Sequence, residues 1–134
     1  MINFTKKYWK SLLVTIAILV VSFINPPELP EVQGFSFGVD KIVHVIMYLA
    51  LASAMLLEHF VIYGKTRTRR YWLLCGGFPL FVAALTEICQ ETFFPTRSFD
   101  WDDIIANIIG IVIAFLFSKV IFKISKTKSW LTKI

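Results

Sequence analysis

Four apolar runs, at about residues 9–25, 40–63, 71–93 and 102–122, fill most of this chain, and the short segments between and beyond them carry most of its charge. Each run, with its interfacial ends, is long enough to cross a hydrocarbon core about 30 Å thick. Backbone polar groups in lipid must be satisfied within the segment, so the runs are read as helices. A chain of 134 residues with 57% hydrophobic and only 17% charged residues is too apolar for a soluble domain of this size. The expected class is an all-α integral membrane four-helix bundle, residues 1–134 forming one domain with no repeat or low-complexity tract.

The first run follows Lys6, Lys7 and Lys10 and stops at Asn25-Pro26-Pro27. A basic start before a short apolar core is also the pattern of a signal peptide, but Ser22-Phe23-Ile24-Asn25 lacks a small-x-small cleavage site, so the run is expected to be retained as a span. Pro26, Pro27 and Pro30 then block helix continuation. Basic residues occupy the N-terminus, the link Lys65-Thr66-Arg67-Thr68-Arg69-Arg70 and the C-terminal Lys123, Lys126, Lys128 and Lys133, whereas the other two loops carry mostly acids. That asymmetry predicts both termini in the cytoplasm of a bacterial cytoplasmic (inner) membrane. It also accounts for the net charge of +5 as an orientation signal, so nucleic acid is not an expected partner. Cys75 and Cys89 fall about 21 Å apart on one predicted helix, too far for a disulfide between them.

Polar residues inside the runs are costly in hydrocarbon and need a reason. In the second run Lys41, His44 and Tyr48 are spaced by three and four and share a helix face; Glu87, Gln90 and Glu91 do so in the third, and Asp103, Asn107 and Gly110 in the fourth. Three polar stripes at similar depth are expected to meet inside the bundle, forming a polar pocket near the extracytoplasmic face. Ala83, Ala84, Gly110 and Ala114 lie deeper and are small, as close helix packing in membranes prefers. Asp40 suits a helix N-terminus, and one of Asp102 and Asp103 is expected to cap the fourth helix. Arg97, in the loop before that helix, could fold over the pocket and pair with Glu87, Asp102 or a ligand carboxylate or phosphate. Glu58 and His59, by contrast, are explained by snorkelling or solvation at the cytoplasmic interface.

The segment Asp40-Lys41-x-x-His44-x-x-x-Tyr48, followed by Thr86-Glu87-x-x-Gln90 and by Arg97-Ser98-Phe99-Asp100-x-Asp102-Asp103-x-x-x-Asn107-x-x-Gly110, resembles the VanZ-like membrane protein family. The resemblance covers about Val39 to Ala114 and leaves the first helix outside. It implies a small multi-helix protein of the bacterial cell membrane, whose namesake is linked to low-level resistance to teicoplanin, a glycopeptide acting on cell-wall precursors outside the membrane. It supplies no biochemical activity.

His44, Glu87 and Asp103 are the candidate catalytic residues, and Asp40, Lys41, Tyr48, Gln90, Arg97, Asp102 and Asn107 the candidate ligand-binding ones. Glu87 could serve as acid, base or cation ligand, or as a structural anchor bonded to Lys41, His44 or Arg97; both readings stay open, as they do for His44. His44, Glu87 and Asp103 are of metal-ligand type, but no HExxH or comparable motif is present, so neither a metal nor another cofactor is expected. No GxSxG elbow and no supported Cys-His pair suggests nucleophilic hydrolysis, and enzymatic activity is left open. The leading functional expectation is engagement of an envelope lipid or cell-wall precursor headgroup, contributing to glycopeptide tolerance. The alternative is an accessory subunit, or self-associating protein, whose polar cluster only fixes the bundle against a membrane-protein partner. Proton-coupled transport ranks below both, because no polar path is expected to continue into the cytoplasmic half.

Overall fold

The computed structural model describes residues 4–23, 39–63, 69–93 and 101–132; Phe4, Val39, Asp40 and the residues after Lys123 are described as helix alone. The elements are α1 (Phe4–Lys7), α2 (Trp9–Phe23), α3 (Val39–Tyr63), α4 (Arg69–Trp72), a π-helical turn (Leu73–Gly77), α5 (Phe78–Phe93) and α6 (Trp101–Thr132). No strand occurs among the described residues, and the chain is an all-α membrane bundle. Three segments are long and apolar enough to cross a membrane: Lys41–Tyr63, Arg69–Phe93 and Trp101–Lys123, with mean hydropathies of 2.0, 1.7 and 2.5. The fourth, α2, has 15 residues and rises about 22 Å, short of the full hydrocarbon thickness. The molecule is therefore a multi-pass membrane protein. At most 39% of each spanning window is buried within it, so the remaining apolar side chains, among them Ile46, Phe81, Val112 and Phe117, face lipid.

Two element boundaries differ from expectation for identifiable reasons. The last helix continues past residue 122 to Thr132, because after Gly110 the sequence contains no glycine or proline to stop it and lysine is a good helix former. The third span begins at Arg69, and Pro79 is accommodated by the π-helical turn just before it. Pro79 has no N–H to offer the carbonyl of Cys75, and the Phe78 N–H instead reaches back five residues to the Leu73 carbonyl. The path from α4 to α5 thus stays helical across a position that would otherwise break the ladder.

Helix α3 is central. It packs against α2, the π-helical turn, α5 and, most extensively, α6. The buried stripe of α3 comprises His44, Tyr48, Leu51, Ala52, Met55, Leu56, Glu58 and His59, at the three- and four-residue spacing of one helix face. On α6 the matching stripe is Ala106, Gly110 and Ala114, all buried. Gly110 sets the separation: a Cβ there would stand 2.4 Å from the Val45 carbonyl oxygen and 2.9 Å from the Leu49 nitrogen, both backbone atoms of α3. Small residues let two membrane helices approach backbone to backbone. Of the other small residues expected in this packing, Ala83 is buried but Ala84 is exposed, because it lies on the opposite side of α5. Stacked rings close the other end of the α3–α6 contact, Phe60 on Phe122 at 4.1 Å, and Trp72 stacks on Phe115 at 5.5 Å.

Replacing Gly110 with Ala should force α6 away from α3, since the opposing atoms are backbone and cannot rotate aside. The expected loss is at least the roughly 1–3 kcal/mol of ordinary overpacking, read as a lower unfolding temperature in detergent, whereas Ala84→Leu on the exposed face should leave that temperature unchanged.

Candidate functional site

Three helices bring polar groups together at the end of the bundle where α3 and α6 begin and α5 ends. From α3, Lys41 forms an ion pair with Asp103 Oδ1 of α6, their side chains only 15% and 12% exposed. One turn further in, the His44 ring nitrogen Nδ1 lies 3.0 Å from Asn107 Oδ1, so Nδ1–H donates and the second nitrogen, Nε2, faces Asp103 Oδ2 at 3.8 Å. Helix α5 contributes Glu87, 2% exposed, a carboxylate oxygen of which lies within 4.8 Å of both a His44 ring nitrogen and an Asp103 oxygen. The next layer joins α3 to α5. Thr86 gives its one hydroxyl hydrogen to the Ala83 carbonyl at 2.9 Å, so the Tyr48 hydroxyl donates to Thr86 Oγ1 at 3.1 Å.

The three stripes read from spacing thus converge, with exceptions. Gln90 is buried beside Glu87, but its amide nitrogen donates to the Ser22 carbonyl at 2.9 Å. It satisfies one of the open carbonyls at the end of α2 and ties that helix to α5. Glu91 and Asp102 are exposed; one position along a helix turns a side chain by about 100°, which takes each off the face used by its neighbour. Asp40 lies in the first turn of α3, and Arg97 lies outside the described residues.

A second buried polar cluster occupies the opposite end of α3, where solvation was expected. Glu58 and His59 are 7% and 1% exposed. The Glu58 carboxylate accepts from the Lys10 N–H at 2.8 Å, the Ser11 N–H at 3.2 Å and the Ser11 hydroxyl at 2.5 Å. From neighbouring α3 it therefore caps the N-terminus of α2, a helix with no acidic residue in its own first turn. Burial first, and the nearby Tyr63 next, push the Tyr8 hydroxyl up to about 12. Tyr8 therefore keeps its proton, and its hydroxyl is hydrogen-bonded to His59 Nδ1 at 3.2 Å, while the His59 ring rests 4.8 Å from that of Tyr63. The signal for this cluster was present in the sequence, since Glu58 and His59 continue the periodicity of His44, Tyr48 and Met55. Between the two clusters the face is Leu51, Ala52, Met55 and Leu56, all apolar.

Fold and polar clusters together define a small multi-pass helical membrane protein with ionisable groups buried at both ends of its central helix. The family model for VanZ/LLP1 matches residues 2–123, and the chain belongs to that family. The match includes the first helix, which the motif resemblance had left outside, so α2 and the residues that Glu58 caps are part of the shared unit. Comparison with curated proteins yields no match, nor does comparison with solved structures.

Removing the cap should cost more than removing its charge. Glu58→Ala abandons two backbone donors and a hydroxyl, an expected loss of roughly 2–3 kcal/mol. Glu58→Gln keeps an acceptor oxygen and should lose less. The order of unfolding temperatures in detergent, wild type above Gln above Ala, checks the assignment.

Proposed function

We propose that the His44 end of the bundle faces the outside of a bacterial cytoplasmic membrane and engages the headgroup of an envelope lipid or a cell-wall precursor. In that orientation both termini are cytoplasmic, as the distribution of lysine and arginine favours. The observation that carries the reading is the Lys41–Asp103 ion pair, partly exposed above the buried His44 and Glu87. An ammonium and a carboxylate at the mouth of a polar cluster offer partners to both the phosphate and the amine or hydroxyl groups of a headgroup. Membership of the VanZ/LLP1 family supports glycopeptide tolerance of the teicoplanin type as the cellular outcome.

A second reading has an observation of its own. His44 with Asn107 and Tyr48 with Thr86 are mutual pairs joining α3 to α6 and to α5, as a cluster that only fixes the bundle would have. In that case the lipid-facing surface docks a membrane partner or a second copy, and crosslinking in native membranes would trap it; recovery of monomer alone counts against this alternative.

For the leading reading, Lys41→Met and Asp103→Asn remove the charges at the mouth. Both variants, expressed at the wild-type level, should lose binding of a lipid-linked wall precursor in nanodiscs and lower teicoplanin tolerance to that of cells without the protein. Unchanged precursor binding and unchanged tolerance in both variants would refute it.

A further inference from the structure

We propose that His44, Glu87 and Asp103 form a three-ligand site for a divalent transition-metal cation, with zinc or manganese best suited to the donors. Each residue comes from a different helix, and each offers one ligand atom, an imidazole nitrogen or a carboxylate oxygen, lying within 4.8 Å of the other two. Donors at about 2.1 Å from one tetrahedral cation stand roughly 3.4 Å apart, so the widest-spaced pair must close by up to about 1.4 Å, a side-chain rather than a helix movement. Such a site leaves no mark in the sequence of the HExxH kind, since its ligands are spread over α3, α5 and α6.

The histidine is already arranged as a metal-bound one is. Its Nδ1–H is committed to Asn107 Oδ1 at 3.0 Å, which puts the lone pair on Nε2. Nε2 faces Asp103 Oδ2 at 3.8 Å, too long for a hydrogen bond yet suitable for two ligands of one ion. Fixing ligand tautomer and ring orientation through the other nitrogen is the usual task of residues surrounding a metal site.

A second, independent observation comes from Asn107. It is fully buried, and its Nδ2 has no hydrogen-bond partner among the described residues although a buried amide hydrogen normally finds one. A water or anion oxygen completing the coordination of a cation held by three protein ligands would accept from it. The charge is also suitable. Once deprotonated, as ligation requires, Glu87 and Asp103 bring two negative charges against the single positive charge of Lys41, which a dication would displace or supplement at Asp103. One nitrogen and two oxygens, without thiolate, favour zinc or manganese over calcium, which prefers oxygen alone. Three protein ligands leave a position open, the arrangement of reactive rather than purely structural zinc sites. This inference stands on geometry and does not require the headgroup reading.

The test is isothermal titration of the purified protein, with any affinity tag removed, using zinc and manganese salts in detergent. The wild type should bind one ion per chain. His44→Gln and Glu87→Gln should each weaken binding at least about tenfold, whereas His59→Gln, at the other end of α3, should not. Lys41→Met removes the competing ammonium and should tighten binding, a gain that loss of folding could not mimic. Absence of binding by the wild type, or binding that survives both ligand substitutions and falls with His59→Gln, would overturn the proposal.

Discussion

The contact on which the rest depends is the approach of α6 to α3 at Gly110, where a side chain as small as a methyl group would meet the backbone of α3. That separation places Asn107 and Asp103, one and two turns before Gly110, opposite His44 and Lys41. At a wider spacing the 3.0 Å bond between His44 and Asn107 could not form. Glycine here serves chemistry as well as packing, because hydrocarbon gives the helices little hydrophobic reason to associate and close contact must come from shape.

Two buried carboxylates illustrate different uses of the same group. Glu58 is surrounded by two backbone N–H donors and a hydroxyl, an environment that holds a carboxylate in place and secures α2 to α3. Glu87 sits instead beside a histidine and a second carboxylate, the latter paired with Lys41, groups that ligate or exchange protons. Keeping such groups at low exposure opposes folding unless their surroundings compensate. The functional reading therefore rests on the Glu87 cluster and the stability of the bundle more on Glu58.

Much of this arrangement was legible in the residues. The three- and four-residue spacings of Lys41, His44 and Tyr48, and of Asp103, Asn107 and Gly110, were enough to bring α3 and α6 together because membrane helices must turn polar faces inward. Spacing alone could not separate Gln90 from Glu87, since both share the inner face and only the position of the α2 terminus sends Gln90 to the Ser22 carbonyl. Glu58 and His59 lie near a helix end, which favours solvation, yet they continue the periodicity of the inner face and are buried. Their burial depends on the start of α2, whose backbone N–H groups Glu58 satisfies, and on Tyr8 just before it, which is hydrogen-bonded to His59. The π-helical turn needed three-dimensional context for the same reason: Pro79 announces a perturbation but not the form it takes.

The central claim is that Glu87 belongs to a site rather than to the scaffold, and its most direct test is thermal unfolding of Glu87→Gln in detergent beside the wild type. The substitution removes the charge and nearly keeps the shape. A charge held for function at the expense of the fold predicts an unfolding temperature equal to or above that of the wild type. A loss of about 3 kcal/mol or more, as when a buried ionic network loses one partner, would contradict the claim and make the cluster a structural clamp.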